Sequence, residues 1–343
     1  MVRDLAYRKG ALLNIIVGEF IATAAPVASE TIFRNYQLGV SPATIRNDMA
    51  YLEERGYIAR PHTSAGSIPL DKGYRYYVES LTEDIELPLD EQYWLRNLFH
   101  GAEEEIERWL KLAAAAVARL VKNATLVTFP RASQCRFRHL ELVAVHEFLA
   151  LLVLVLSETM LRQQLLPFTK PVNQEQLSGL AGKLNATFSG LTVSEISAKK
   201  LDFFPEENRL TEAVVDIMAA EDKMAYAEPY LEGLRLMLDQ PEFAQKDRML
   251  SIMELMEAKS WLSPMFSQQS SNEKIQVMIG EENSDKSLQG LSLVSSRYGI
   301  PQRVDGTIVV IGPTRMDYRR AISTVSYMSE VLSTLVAEVY RGN

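Results

Sequence analysis

The sequence predicts an α+β protein that begins with a winged helix-turn-helix and continues into an α+β domain carrying a mostly helical insertion. Three helical patterns, a short strand pattern and an irregular loop follow one another over residues 5–69. Strand patterns return on both sides of a helical block at residues 172–262. A chain of 343 residues exceeds the usual size of a single core, so we expect several domains. They are residues 1–86, residues 87–170 together with 266–343, and the insertion at 171–265.

The first three helices have the order of a helix-turn-helix unit. Apolar residues at helical spacing predict an amphipathic helix over residues 5–21, and a second short helix ends near Asn35. Ser41 has the residue type of an N-cap, and Pro42 follows at the first helical position of a third helix. Gly56 is typical of a helix C-terminus and ends the third helix.

The third helix has one apolar stripe and one stripe suited to DNA. At about 100° per residue, Ile45, Met49 and Leu52 share a face that we expect to pack on the first helix. The opposite face has small residues, where a backbone could approach the major groove closely, and polar groups for base edges or phosphate. The DNA-binding residues predicted on this helix and its cap are Ser41, Ala43, Thr44, Arg46, Asn47, Ala50 and Tyr51.

Within this set, Arg46 is the candidate for a guanine contact and Asn47 for an adenine contact, although either side chain could reach phosphate alone. The free amides and the positive dipole end near Ser41 favour a phosphate contact. The alternative interpretation of the unit is a winged helix used only for protein contact.

The segment after the third helix predicts a wing. Residues 57–60 have a strand pattern, and an irregular loop follows at residues 61–69. We expect this loop to touch the DNA backbone or the minor groove, with glycine permitting a tight reversal. An ordinary hairpin connection is the alternative. The predicted wing contacts are Arg60, His62, Thr63, Ser64 and Gly66.

The rest of the chain alternates between strand and helix patterns. A linker at residues 87–90 precedes one long helix at about 91–122, and a final helix is predicted over residues 318–340. A meander of antiparallel strands is predicted at residues 124–129, 140–146, 148–156 and 160–168. Further strands are predicted at residues 275–279, 291–295 and 306–312.

Two features outside the winged helix allow more than one interpretation. The insertion has sixteen acidic and nine basic residues together with methionine stripes, which favour a packed helical core with a dimer interface over a groove for a partner helix. The loop at residues 312–317 favours a structural turn in which Arg315 pairs with a carboxylate, and anion binding by Arg315 and the loop amides is the alternative.

Charge and composition limit the partners. The net charge is −8, yet residues 1–80 hold nine Lys and Arg against eight Asp and Glu. The excess of acidic residues therefore lies in the rest of the chain, and only the N-terminal segment is suited to approach phosphate. The longest apolar stretch, residues 148–156, is too short to cross a bilayer, and the N-terminus has no apolar signal region. The single cysteine, Cys135, fits a reducing cytoplasm.

The sequence does not favour an enzyme. The four histidines are scattered, and His139 and His146 near Cys135 have no third partner at the spacing of metal ligands or a catalytic triad. We therefore expect no catalytic residue, no metal and no cofactor.

Several blocks of sequence resemble the HrcA family of heat-shock repressors. The N-terminal blocks are residues 40–49, 61–66 and 71–75, and the C-terminal blocks are residues 279–283 and 306–318. The resemblance implies a winged helix, a GAF-like domain and an inserted dimerisation domain. It also implies a homodimeric repressor of chaperonin and DnaK operons that binds the CIRCE inverted repeat and whose activity the GroEL chaperonin modulates.

One residue departs from the family pattern. The family usually has Arg where this chain has Ser67, so we expect a cationic wing contact to be missing there. Two other functions stay open beside the repressor: a ligand-sensing regulator of another operon that acts through the GAF-like domain, and an interaction scaffold with a vestigial winged helix.

Overall fold

The structure, a computed structural model, describes most of the chain. The described residues are 5, 7–62, 65–81, 85–99, 105–130, 135–156, 161–199, 204–224, 229–258, 274–301 and 303–341. They fall into two compact units. The first consists of Met1–Pro130, Glu228–Ile300 and Gly306–Asn343, and the second of Arg131–Ala227 with Pro301–Asp305.

The elements are numbered in chain order. The helices are α1 Tyr7–Thr23, α2 Ser29–Asn35, α3 Pro42–Glu54, α4 Asp71–Ser80, α5 Leu89–Leu98, α6 Ile106–Val121, α7 Gln174–Phe188, α8 Val193–Ala198, α9 Pro205–Met224, α10 Leu234–Leu238, α11 Lys246–Ala258 and α12 Tyr318–Arg341. The strands are β1 Ile58–Ala59, β2 Ile68–Pro69, β3 Ala124–Val127, β4 Phe137–His146, β5 Leu149–Leu156, β6 Leu161–Pro167, β7 Tyr230–Glu232, β8 Ile275–Ile279, β9 Leu291–Ile300 and β10 Val304–Pro313.

The first unit begins with the predicted winged helix. Helices α1, α2 and α3 pack together, and β1 pairs antiparallel with β2 through Ile58 opposite Pro69. Val27 and Ser67 add an isolated bridge through two backbone hydrogen bonds of 2.9 Å. Helix α4 then packs back on α1. The helix-turn-helix order predicted from the apolar spacing is therefore confirmed.

The remainder of the first unit is a five-stranded sheet with helices packed on it. The strand order is β7-β3-β10-β9-β8, and nearly every residue of the central strand β10 is buried. Helix α12 packs on β9 and on α6, while α6 packs on β3. The buried side chains of α12 recur every three or four residues, as one face of a helix requires. They are Tyr318, Ala321, Val325, Met328, Leu332 and Val336.

The second unit contains a three-stranded antiparallel meander, β4-β5-β6. Alternate residues of β5 are fully buried, because one face of the sheet packs on helices of the same unit and α7 lies against β4. Phe137 and Phe188 meet edge to face in this core, with ring centroids 5.9 Å apart. Met218 is also buried in it, in agreement with a packed helical core.

The structure divides the chain differently from the predicted boundaries. The sequence places the insertion at residues 171–265, whereas the strands β4 to β6 belong to the second unit with α7, α8 and α9. These strands hydrogen-bond only to each other within the described sheets, so the five-stranded sheet does not recruit them. Conversely, residues 229–258 belong to the first unit, where β7 extends the sheet beside β3.

Two secondary-structure predictions are wrong. Residues 91–122 do not form one helix, since α5 ends before Phe99 and Glu105 has extended backbone before α6 begins. Strand β3 does not join the meander, because its partners are β10 and β7. No helix in the described ranges has the length and apolar character of a membrane span.

Candidate DNA-binding surface and its junction with the sheet domain

Helix α3 begins at the predicted cap. The Thr44 amide donates to Ser41 Oγ at 3.2 Å, and the Ser41 and Thr44 hydroxyls are 3.0 Å apart. Pro42 occupies the first turn, where its missing amide hydrogen costs nothing. After the helix, Gly56 has the left-handed φ of +72° that ends helices. The cap orders the N-terminal turn, which is the part predicted to enter the groove.

The buried face of α3 fixes its orientation. The predicted stripe of Ile45, Met49 and Leu52 is buried, which confirms that assignment. Asp48 lies beside the stripe with only 7% of its side chain exposed, and Arg8 of α1 donates to both of its carboxylate oxygens, at 2.8 and 3.1 Å. The Arg8–Asp48 pair was not predicted from the sequence. A carboxylate beside the apolar stripe, one helical turn before Leu52, could have indicated a buried ion pair.

The opposite face of α3 is exposed. Ala43, Asn47 and Ala50 all lie at the surface, together with Arg46. Arg46 Nε donates to the Pro42 carbonyl at 3.4 Å, so its guanidinium lies along the helix. Small side chains alternating with one amide and one guanidinium can approach base edges closely. The face predicted for readout is therefore exposed, and its contacts with bases stay a prediction.

Tyr51 lies at the edge of this surface and is half-buried. Lys9 Nζ is 3.4 Å from the centroid of its ring, and the Arg55 guanidinium carbon is 5.3 Å from it. The two cations flank the aromatic ring beside the recognition face. Neither cation was predicted from the sequence. Lys9 belongs to α1, so its contact with Tyr51 leaves no spacing signal, whereas Arg55 follows Tyr51 by four residues, a spacing that could have identified it.

The wing residues have mixed environments. Arg60 is exposed and its Nε lies 3.3 Å from Glu53 of α3, while His62 is exposed at the start of the loop. The predicted contacts Thr63 and Ser64 lie outside the described residues. Gly66 is half-buried, and a Cβ there would overlap the backbone of residues 26–27. Its role is therefore a close approach of two backbones; it does not have the positive φ of a tight reversal.

Ser67 does not occupy a wing-tip position. Its side chain is fully buried, and its backbone bridges Val27 at the base of the wing. The expectation that this residue removes a cationic contact with DNA is therefore wrong in its geometry. A side chain at this position faces the interior, because the isolated bridge fixes the direction of the strand.

The winged helix is joined to the sheet domain through α4. Arg75 Nε donates to Glu282 at 2.7 Å, its Nη2 donates to the same carboxylate, and it also donates to the Val277 carbonyl at 2.7 Å. One turn earlier, Asp71 accepts from the Glu281 amide at 2.9 Å. Two blocks of the sequence that are about two hundred residues apart therefore form one set of hydrogen bonds. We call this set the α4 junction.

The C-terminal block at residues 306–318 adds further contacts to the same junction. The Tyr74 and Tyr318 rings lie 5.9 Å apart, and burial raises the pKa of both hydroxyls above the usual range. Arg315 donates to the Ile21 carbonyl of α1 at 2.7 Å and forms an ion pair with Glu242. The structural interpretation of the loop at residues 312–317, in which Arg315 pairs with a carboxylate, is thus confirmed.

The residues considered for catalysis are not brought together. Cys135 is buried, its thiol donates to the Met218 carbonyl at 3.3 Å, and burial raises its pKa to about 12, which disfavours the reactive thiolate. His139 is exposed beside Glu141, and the His146 ring accepts from the Phe148 amide. Among the described residues, no group of His, Cys, Asp and Glu has the arrangement of a metal site.

Gly280 provides a test of the α4 junction. It has a φ of +51°, and a Cβ there would overlap the Asp71 carboxylate. We expect Gly280→Ala to lower the free energy of unfolding by about 1–3 kcal/mol, measured by urea denaturation followed by circular dichroism. The control is Gly290→Ala, whose Cβ would meet only the end of the Arg248 side chain and which we expect to change stability by less than about 0.5 kcal/mol. Equal stability of the two variants would contradict the described packing.

Two family models match the chain. The family model for the HrcA protein C terminal domain matches residues 107–322, and the model for the DeoR-like helix-turn-helix domain matches residues 36–69. A crystal structure of a hypothetical protein has the same fold, with a TM-score of 0.60 and 25% identity, covering 98% of this chain and 99% of that one.

Curated relatives match along the whole chain. The heat-inducible transcription repressor HrcA of Dehalococcoides mccartyi is 45% identical over 98% of this chain and 97% of its own length. The repressor of the same name from Roseiflexus castenholzii is 39% identical over 99% of this chain and 97% of its own length. The chain therefore belongs to the HrcA family of heat-inducible transcription repressors.

Proposed function

We propose that the protein represses chaperonin and DnaK operons by binding a CIRCE-type inverted repeat as a homodimer. The observation that carries the proposal is the face of α3 formed by Ala43, Asn47 and Ala50, which is exposed while the opposite face is buried and tied to α1. Such a helix can enter the major groove without rearrangement.

We assign base readout to two side chains of α3. Asn47 presents an amide that can bond an adenine edge at two points, and Arg46 presents a guanidinium suited to guanine. Ser41, Thr44 and Tyr51, with Arg60, His62 and Gly66 of the wing, serve as backbone or minor-groove contacts. Thr63 and Ser64 complete the wing in this proposal. Phosphate contacts of this kind supply affinity and salt dependence, while the α3 contacts supply sequence preference.

The readout assignment is tested by fluorescence anisotropy with a CIRCE-type duplex and a scrambled duplex of equal composition. We expect Asn47→Ala to weaken binding to the repeat by about 5- to 150-fold, the loss of a bidentate base contact, and to leave binding to the scrambled duplex unchanged. Asn97→Ala replaces an exposed asparagine on α5 and should change neither affinity. A wild-type chain that shows no preference for the repeat contradicts the proposed function.

We propose that the dimer forms through the outer face of the β4-β5-β6 sheet. The centre of this face is apolar: Val143, Leu151 and Leu165 lie side by side on the three strands, and Val143 and Leu165 are 43% and 55% exposed. Exposed apolar patches of this kind mark interaction surfaces, and a strand-centred face can pair with itself about a two-fold axis. A two-fold dimer matches an operator with two-fold symmetry.

The dimer surface is tested by substituting its centre. We expect Leu151→Glu to convert a dimer into a monomer of 38.7 kDa, measured by sedimentation equilibrium, because a charge on each copy would be desolvated at the interface. The control is Gly182→Glu on α7, where a Cβ meets open space. An unchanged mass for Leu151→Glu, or a monomeric wild type, contradicts this surface.

The rest of the proposal is supported by family membership. We place the protein in the cytoplasm, where its operator lies, and assign the GroEL chaperonin as the partner that modulates its activity. The likeness of the five-stranded domain to a GAF domain stays a prediction. The α4 junction connects the five-stranded domain directly to the winged helix, so a change in this domain can alter the position of the DNA-binding surface.

A further inference from the structure

A cleft of about 800 Å³ lies next to the α4 junction, entirely within the first unit. One wall is formed by the winged helix, with Gly18 and Ile21 of α1 and Tyr77 of α4. The other wall belongs to the sheet domain and contains the end of α6, the segment after α10 and the start of α12. The volume is in the range of sites for small molecules.

The cleft has an excess of positive charge. Four cations line it, Arg119, Lys122, Arg315 and Arg319, against the carboxylates Asp239 and Asp317. Their roles differ. Arg315 is held by Glu242 and by the Ile21 carbonyl, and Arg319 lies near the Tyr77 hydroxyl. Lys122 and Arg119 are exposed, and neither forms a salt bridge with a residue in the described ranges.

The two carboxylates compensate this charge only in part. Asp317 accepts the Arg320 amide at 3.0 Å in the first turn of α12, so one of its oxygens is directed at the helix. Asp239 follows α10 and is exposed. Arg119 lies with its guanidinium carbon 5.5 Å from the Trp94 ring centroid, which limits the directions that this side chain can take.

Where α1 lines the cleft, Gly18 exposes the helix backbone because it has no side chain. Gly18 lies in the interior of a 17-residue helix, where glycine costs about 0.5–1 kcal/mol relative to alanine. A Cβ there would have no atom within 4 Å. Local packing therefore does not require a glycine at this position, whereas a ligand that approaches the α1 backbone closely would.

We propose that this cleft binds a small organic molecule carrying a phosphate or pyrophosphate group. The cations of α6 and α12 bind its charged oxygens, and the bare surface at Gly18 accommodates its body. The cleft is concave and lined from two sides, as sites for small molecules are. A bound ligand touches α1 and the sheet domain at once, so it stabilises the arrangement made by the α4 junction.

The site is tested by isothermal titration calorimetry of the full chain with inorganic pyrophosphate and with ADP, at constant ionic strength. We expect saturable binding of at least one probe by the wild type. Gly18→Glu places a carboxylate in the cleft, and Lys122→Gly removes a cation while keeping a left-handed backbone position that glycine favours. Each variant should weaken binding about tenfold or more.

The matched control is Gly179→Glu on α7, which adds the same charge where a Cβ also meets open space. It should bind the probe as the wild type does. Absence of saturable binding by the wild type to both probes, or equal affinity in Lys122→Gly, Gly179→Glu and the wild type, overturns the proposal. Any effect of the ligand on operator affinity rests on the proposed function. Operator binding is therefore measured separately without the probe, and its failure leaves the calorimetric result intact.

Discussion

The ion pair between Arg75 of α4 and Glu282 connects the winged helix to the rest of the first unit. Arg75 also donates to the Val277 carbonyl, and Asp71 accepts from the Glu281 amide, so one face of α4 is held over two successive turns. Arg315 binds the end of α1 through the Ile21 carbonyl. Because both α1 and α4 are held, the orientation of α3 depends on the sheet domain: α3 is tied to α1 by the Arg8–Asp48 pair.

This chain of contacts links the DNA-binding surface to the cleft beside it. From the exposed face of α3, the path runs through Asp48 and Arg8 to α1, and α1 carries both Ile21 and Gly18. Partly buried, charge-assisted hydrogen bonds are directional, so they transmit orientation better than apolar contacts do. A ligand or partner that acts on the sheet domain therefore has a physical route to α3.

Features that depend on residues close together in the sequence could be predicted. The faces of α3 follow from helical periodicity, and the Ser41 cap follows from residue type, because both depend on neighbours within four positions. The α4 junction has no such signal, since Arg75 and Glu282 are brought together only by the tertiary fold. The buried direction of Ser67 and the pairing of β3 with β10 were missed for the same reason. The roles of the DNA-facing residues stay predictions, because exposure alone does not identify a base contact.

A double-mutant cycle on operator affinity tests whether the α4 junction sets the position of the recognition helix. The variants are Arg75→Gln, Glu282→Gln and the double substitution, measured on the CIRCE-type duplex. We expect each single variant to weaken operator binding. The double variant should bind no more weakly than the weaker of the two single variants, which corresponds to a coupling free energy of about 0.5–3 kcal/mol. Operator affinities equal to that of the wild type in all three variants would contradict it.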